Sequence, residues 1–348
     1  MHTYMFSLKG RQRGFSLTEI MVGMVIGLLG IIIIMQVTSV FESQKRTTSG
    51  GDDAQNSGAI ALFSLQRDVA QAGYGLSSLN LTSISGVNRS FVTPFVTFPS
   101  LSGVVLNHAS LNAVRDAETD TFIIIYGNSN TTPEGGVIVN SSPAPYTIIG
   151  GTSASGVTGT GGHGFADGDY VIADDGTGNG GAANTHYLLR VTGVDPITVP
   201  VTSADGYPVP LLQDTAAGPH PLLFNLGPSP SILAYAVRNG SLSVCDYLTQ
   251  DCANASATWQ PLTGDIVSMR AQCVGEAALR VALVARNSQI ATTQVTTTTP
   301  IWNPNGASAA VAANPVSSWG ADWGRYRYKT FETIIPIRNS VWSGAKGC

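Results

Sequence analysis

An uncharged apolar segment near the N-terminus is the feature that most constrains this chain. Residues 20 to 40 contain no charged side chain. As a helix rising 1.5 Å per residue they would cover about 30 Å, the thickness of the hydrocarbon layer of a bilayer. Lys9, Arg11 and Arg13 precede the segment. Because basic flanks stay on the cytoplasmic side, we expect a cytoplasmic N-terminus and export of everything after residue 40.

Three interpretations of this segment compete. A secretory signal peptide has an apolar core of about 7–15 residues followed by small residues at its cleavage site; here the core is longer, and the best site, at Val37 and Ser39, is poor. A plain membrane anchor leaves Glu19 unexplained, because a carboxylate in an apolar run costs a few kcal/mol unless it has a partner. The third interpretation is a processing site that creates such a partner.

The residues RGFSLTEIMV around Glu19 resemble the processing site of type IV prepilins. In that family a prepilin peptidase of the inner membrane cleaves after the glycine, here Gly14, and N-methylates the new first residue, here Phe15. The glutamate at the fifth mature position, here Glu19, is then available to the positive N-terminus and helps to set the register of a newly added subunit. Electrostatics favour this pairing, because opposite charges attract more strongly in a low-dielectric medium than in water.

The pattern after the apolar segment predicts an α+β protein with one long N-terminal helix. Gly50 and Gly51 predict a break or loosened turn in it. Helical spacing then resumes in two adjacent stripes that would let the helix lie on a sheet. The stripes are Ile60, Phe63, Arg67 and Ala70, and Leu62, Leu65, Val69 and Ala72. The predicted organisation is a leader at 1–14, a transmembrane and filament-core helix at 15–41, an amphipathic second half of that helix at 42–75, and a β-rich exported domain at 76–348.

Strand candidates separated by turn-rich segments follow the helix. The clearest are residues 120–127, 169–174, 186–194, 231–247, 278–287 and 328–339. Asn239 and Gly240 predict a tight hairpin turn, and Pro336 predicts an edge strand or a strand end. Alternation of apolar residues with Arg280 and Arg286 predicts a half-buried strand. Two segments, at 150–184 and 291–320, are predicted to be loop insertions.

Several of these segments extend the resemblance. LFSLQRDVAQAGYG, FADGDYVIADD, VALVARN and RYRYKTFETIIPIRN are similar, in similar order, to the PilW family of minor pilins. The resemblance implies a type IV pilin fold, in which the second half of the helix packs on an antiparallel β-sheet. It also implies a subunit that helps to initiate pilus assembly and lies at or near the tip. The implied partners are the prepilin peptidase, other minor pilins, the major pilin and a PilY-type tip adhesin, and the implied location is the inner membrane followed by the extracellular pilus.

Two other functions stay open at this point. The same N-terminal motif fits a minor pseudopilin of a type II secretion system. A membrane-anchored envelope enzyme or binding protein would need a convergent polar site, for which the sequence gives no pattern. There is no H-E-x-x-H pair, G-x-S-x-G elbow or Walker A loop, and G-x-G-x-x-G at Gly159, Gly161 and Gly164 leads into a strand instead of a helix. We therefore expect no enzyme activity and no cofactor.

Charge and aromatic patterns give weaker indications. The 18 basic and 22 acidic residues form no basic block, so nucleic acid is not an expected partner. A cluster of aspartates among glycines is a weak Ca²⁺ candidate, although such residues more often form turns. Its members are Asp167, Asp169, Asp174 and Asp175, with Asn179 nearby. The five tryptophans favour local core over a sugar-binding surface, and the basic run from Arg325 to Lys329 favours a solvated edge.

The four cysteines indicate an oxidising compartment. They are Cys245, Cys252, Cys273 and Cys348. Their spacing contains no C-x-x-C, which argues against zinc and against a thioredoxin-type site. A cysteine at the last position is best explained by a covalent bond that holds the tail. Of the three pairings we expect Cys245 with Cys252 and Cys273 with Cys348; free buried thiols are the alternative.

Overall fold

A computed structural model describes most of the chain after its first 13 residues. The described residues are 14–76, 90–99, 101–130, 136–138, 146–147, 164–174, 185–193, 198–203, 221–343 and 348. The basic part of the predicted leader, Gly159, Gly161 and most of the Gly-rich segment at 150–184 lie outside them. The chain divides into two compact units, Met1–Asp52 and Asp53–Cys348.

The described residues form an α+β structure, the class predicted from the sequence. The helices are α1 Leu17–Val69, α2 Pro315–Trp319 and α3 Arg338–Ser343. The strands are β1 Ser90–Val92, β2 Thr97–Phe98, β3 Val104–Leu106, β4 Phe122–Tyr126, β5 Gly136–Val137, β6 Tyr146–Thr147, β7 Tyr170–Asp174, β8 Thr185–Val191, β9 Thr198–Val199, β10 Val201–Ser203, β11 Leu222–Gly227, β12 Ser231–Arg238, β13 Ser241–Asp246, β14 Gln260–Gly264, β15 Ile266–Val274, β16 Ala278–Arg286, β17 Ile301–Trp302, β18 Ala309–Ala310 and β19 Tyr328–Pro336. Apart from the parallel pair of β1 and β8, the described strand pairs are antiparallel.

Helix α1 continues through Gly50 and Gly51, so the predicted break there was wrong. A glycine costs a helix only about 1 kcal/mol relative to alanine, and a cost of that size does not end a helix that is favoured on both sides. The expected stop after Val69 is present. Gly73 and Gly75 adopt the positive φ angles of 80° and 82° in the turn that follows, a conformation that glycine takes without steric cost.

A central sheet with the strand order β14-β13-β12-β4-β3 forms the middle of the domain. Strands β12 and β13 form the predicted hairpin, and Asn239 (φ 50°) and Gly240 (φ 70°) make its turn. Positive φ at both positions matches the right-handed twist of the two strands.

The second half of α1 packs on one face of the central sheet and on a C-terminal sheet with the order β15-β16-β19. The buried apolar residues of the helix lie along one stripe, spaced by three, four or seven positions. They are Ala54, Ala61, Leu65 and Val69, and Ala72 continues the stripe in the turn after the helix. Of the two predicted stripes, the one with Leu65 is therefore the core face. The other is exposed, with Phe63 69% accessible.

An outer sheet covers the opposite face of the central sheet. Its strand order is β2-β1-β8-β7-β11-β5, with β10 beside β8. Ile123 and Ile125 of β4 share a core with Phe91, Ile172 and Phe224 of the outer sheet. The prediction of one sheet with loop insertions is thus corrected to layered sheets. The physical reason is the continuous apolar run of β4, which is buried on both faces and needs a second cover.

The segment at 291–320 also departs from its prediction as a loop. It forms β17, β18 and α2 and packs on the outer face of the C-terminal sheet. The Trp319 indole N–H donates to the Val267 carbonyl (3.2 Å), and Arg270 Nε donates to the Val311 carbonyl (2.8 Å). Because of this cover, β16 is buried on both faces, Val284 included, and its prediction as a half-buried strand was wrong.

Candidate processing and assembly site

The predicted cleavage position lies just before helix α1. Gly14, Phe15 and Ser16 precede the first helical residue. The Ser16 carbonyl accepts a hydrogen bond from the Glu19 backbone N–H (3.0 Å), so helical hydrogen bonding begins after the bond between Gly14 and Phe15. The Phe15 side chain is 78% exposed. A peptide bond that is exposed and outside a helix is accessible to a peptidase.

Glu19 lies in the first turn of α1, with its side chain exposed. A carboxylate at this position interacts favourably with the positive end of the helix dipole, by about 0.3–1 kcal/mol. The Phe15 nitrogen, which cleavage would convert into an ammonium, is four residues earlier. The two groups of the predicted charge pair therefore lie at the same end of the helix.

The apolar segment of α1 is exposed along its length. Of the helices in the described part of the chain, one, at Leu17–Glu42, is long and apolar enough to cross a membrane. At 1.5 Å per residue its 26 residues extend for about 39 Å, more than the ~30 Å hydrocarbon thickness. Large apolar side chains point outward all round it, from Phe15 to Phe41. Such a surface is stable only against lipid or other apolar helices.

A buried polar contact fixes the domain half of the same helix. Asp68 is 6% exposed and accepts a hydrogen bond from the Tyr235 hydroxyl of β12 (2.5 Å) and one from Arg67 Nε (2.9 Å). Burial, followed by the charge of Asp68, raises the pKa of Tyr235 far above its usual range. This pair was not predicted from the sequence. The signal was Asp68 itself, an acid within the stripe that includes Leu65 and Ala72.

The aspartates of the weak Ca²⁺ candidate do not converge in the described residues. Asp169 Oδ2 accepts hydrogen bonds from the Ala166 backbone N–H (2.8 Å) and from Asn225 Nδ2 (2.8 Å), as a turn residue does. Asp174 Oδ1 lies 3.6 Å from His186 Nε2, and Asp167 is exposed. Asp175 and Asn179 are outside the described residues. Among the described residues no group of three or more His, Cys, Asp or Glu side chains could hold a metal, and the calcium site stays a prediction.

All four cysteines form disulfides, in the pairing expected from the sequence. Cys245 and Cys252, with Cα atoms 5.9 Å apart, close a seven-residue separation in the core between the central and outer sheets. Cys273 and Cys348, with Cα atoms 5.8 Å apart, join β15 to the last residue across a separation of 75. The second bond lies on the other side of the central sheet, where Cys348 packs against the core that contains α1.

Trp259 and Trp319 act as local anchors. Trp259 is nearly buried under the guanidinium of Arg238, 4.9 Å from the ring centre. Trp319 stacks on Tyr328 with ring centres 4.7 Å apart. The Trp342 side chain lies outside the described residues.

The basic run leads into β19, an edge strand, and Arg327 and Lys329 are exposed, as the prediction of a solvated edge requires. Arg325 Nε donates to the Ala291 carbonyl (2.9 Å), and Lys329 Nζ donates to Gln55 Oε1 of α1 (2.8 Å). These contacts tie Arg325 to the segment at 291–327 and Lys329 to the helix. They account for both basic side chains without an external ligand.

Comparison with known proteins gives one match. Residues 9–35 match the prokaryotic N-terminal methylation motif, a range that includes Gly14, Phe15, Glu19 and the first part of α1. Searches of curated proteins and of solved structures found no match. The motif implies processing by a prepilin peptidase and assembly with other pilins, and it fits a single apolar helix that anchors the chain in the inner membrane before assembly. The motif, the exposed apolar helix and the α+β domain together indicate a type IV pilin-like or pseudopilin-like prepilin.

Proposed function

We propose that this chain is a minor pilin of the PilW type, which helps to initiate a type IV pilus and lies at or near its tip. The observation that carries the proposal is the division of α1. Its domain half is covered by the chain's own sheets, while the large apolar side chains of Leu17–Glu42, after the cleavage site, are exposed. Filament assembly supplies that cover, because the segments of neighbouring subunits pack together and leave the lipid.

The pair formed by the Phe15 ammonium and Glu19 sets the axial position of a newly added subunit in the filament. Cleavage after Gly14 creates an ammonium on Phe15, and Glu19 of the same or a neighbouring subunit is the nearest acid in the sequence. At a separation of 4 Å and an effective dielectric constant near 20, two such charges attract by about 4 kcal/mol. A subunit whose Glu19 meets no ammonium would bury an unpaired carboxylate, which opposes insertion at the wrong height.

The layered domain favours the tip over the shaft. The central sheet carries the outer sheet on one face, and the C-terminal sheet carries the segment at 291–320 on its own outer face. These additions enlarge the domain beyond a helix and one sheet, and a subunit at the end of a filament has fewer neighbours to accommodate it. The partners in this proposal are other minor pilins, the major pilin and a PilY-type adhesin.

Orientation and chemistry follow from the same proposal. The basic residues before the span support a cytoplasmic N-terminus, and two disulfides suit an exported domain. The role is assembly, with binding at the tip carried by the domain surface, and no catalytic step is part of it.

Substitution of Glu19 tests the proposal, with Glu42 as the matched control at the other end of the span. We expect Glu19→Ala to be cleaved and methylated normally but to enter sheared pili at least about tenfold less than wild type, the effect of losing about 1.4 kcal/mol. Glu42→Ala should be processed and incorporated normally. Mass spectrometry of the N-terminus and of sheared pili, normalised to the cellular amount of the chain, gives both readouts. Wild-type incorporation of Glu19→Ala would contradict the proposed register.

A deletion strain separates the pilin from the pseudopilin. The proposal predicts few or no surface pili and normal type II secretion, with piliation restored by the wild-type chain. Normal piliation with a loss of secreted enzymes would assign the chain to the secretion system instead.

A further inference from the structure

The end of helix α1 is held by the last described segment of the chain. Asn339 Nδ2 in α3 donates to the backbone carbonyls of Gln71 (3.0 Å) and Ala72 (3.1 Å), in the turn that follows α1. The Gln71 carbonyl also accepts from the Tyr74 backbone N–H (3.1 Å), so the Asn339 amide adds to the hydrogen bonds that stabilise this turn. Ile337, just before α3, is fully buried in the core that contains Val69 and Ala72.

The same turn is enclosed by the central sheet. The Gly73 backbone N–H donates to the Ile125 carbonyl (2.8 Å), and the Gly127 backbone N–H donates to the Tyr74 carbonyl (2.8 Å). A Cβ atom at Gly103 would approach the Gly73 nitrogen to 2.8 Å. The end of α1 is thus fixed between strands β3 and β4 on one side and the C-terminal segment on the other.

The C-terminal segment is itself anchored at both ends. The Ile337 backbone N–H donates to the Ala277 carbonyl (2.8 Å) beside the β15–β16 hairpin, and Cys348 is bonded to Cys273 of β15. The disulfide therefore closes a covalent ring that contains β16, β19 and α3. Without it, the segment after β19 is joined covalently to the domain at its N-terminal end alone.

We propose that the Cys273–Cys348 bond is a covalent clasp that fixes the end of α1 to the domain. In the closing step the two thiols lose two protons and two electrons, and a protein disulfide in the envelope is reduced to a dithiol through a mixed disulfide. With the clasp closed, a pull along α1 is transmitted to the domain. With the clasp open, α3 and the turn after α1 exchange between bound and released states. The need to resist a pull rests on the proposed function, since the force arises when the apolar segment leaves the membrane for the filament.

The test uses the full-length chain in detergent and compares the two disulfides. Cys273→Ser with Cys348→Ser opens the clasp, and Cys245→Ser with Cys252→Ser is the matched control on the other side of the central sheet. Hydrogen exchange is measured in peptides covering residues 66–76. We expect exchange there to be at least tenfold faster in the clasp variant and unchanged in the control. Asn339→Ala, which keeps both disulfides, should give a smaller increase.

Equal exchange in the clasp variant and wild type, or equal increases in the two disulfide variants, would overturn the clasp. If the clasp variant does not accumulate, the folded control variant is reduced instead, which opens the remaining bond, and the same peptides are measured. Sheared pili give a separate readout. A wild-type chain missing from pili would refute the proposed function, whereas unchanged exchange would refute the clasp.

Discussion

The two halves of helix α1 have opposite surroundings. At 17–42 large side chains are exposed around the whole circumference, and Leu28 is 60% accessible. At 53–69 one stripe is buried against sheets of the same chain, with Leu65 fully covered. The difference shows what covers the apolar surface of each half. The domain half is satisfied within one chain, and the N-terminal half requires lipid or the helices of other subunits.

Leucine truncation sharpens this contrast most. Leu65→Ala should lower the free energy of unfolding of the full-length protein in detergent by about 2–5 kcal/mol, because it removes buried methyl groups and leaves a cavity. Leu28→Ala should change it by less than about 0.5 kcal/mol, because that side chain is exposed. Denaturant titration followed by tyrosine and tryptophan fluorescence measures both. Equal effects of the two substitutions would refute the division.

Glycine substitutions give a smaller effect of the same kind. A Cβ atom at Gly58 would overlap the ring of Phe331, whereas one at Gly51 meets nothing within 4 Å. Gly58→Ala should therefore destabilise the protein by about 1–3 kcal/mol, and Gly51→Ala should raise helix stability by up to about 1 kcal/mol. Thermal melts followed by circular dichroism should shift in opposite directions. A stabilising Gly58→Ala would contradict the close packing of helix and sheet.

The contact between Tyr235 and Asp68 predicts that the free energy of unfolding depends on pH in the alkaline range. Tyr235→Phe should cost about 1–2 kcal/mol at neutral pH, because Asp68 loses a buried hydrogen bond. The interactions that raise the pKa of Tyr235 stabilise the folded state, and this stabilisation is fully present at pH values below the pKa of an unfolded tyrosine, about 10. As the pH rises further, unfolded chains lose a proton that folded chains keep. The wild-type free energy of unfolding should then fall about 1.4 kcal/mol per pH unit more steeply than that of Tyr235→Phe.

Tyr328 is the matched control for this pH dependence. Burial raises its pKa to about 12, so its contribution to the free energy of unfolding is lost between pH 10 and 12. Tyr328→Phe should therefore flatten the dependence of that free energy on pH only within this range. Denaturant titrations between pH 8 and 12 measure both. Parallel pH profiles of Tyr235→Phe and wild type would show that Tyr235 titrates normally.

Local patterns predicted the parts of this fold that depend on neighbours in sequence. The hairpin turn at Asn239 and Gly240 needs positive φ, and this dipeptide takes it readily. The run ending at Tyr126 and the stripe that includes Leu65 have the periods of a buried strand and an amphipathic helix. The candidate processing site is local too, since Gly14, Phe15 and Glu19 lie within six residues.

The remainder depends on contacts between distant residues, which one sequence does not specify. The composition of the segment at 291–320 indicated a loop. Trp319 contacts Val267 and Tyr328, however, and these contacts hold the segment in a defined structure. The outer sheet could have been inferred in principle, because four consecutive apolar residues in β4 indicate burial on both faces. Neither its pairing nor the parallel contact of β1 with β8 is encoded in a local pattern.

The N-terminus of the mature chain tests the central claim most directly. Intact and peptide mass spectrometry would compare cells with and without the prepilin peptidase. The account predicts a chain that begins at N-methylated Phe15 in the first case and keeps its leader in the second. A chain that begins at Met1 in the presence of the peptidase, or one cut near Ser39, would contradict it.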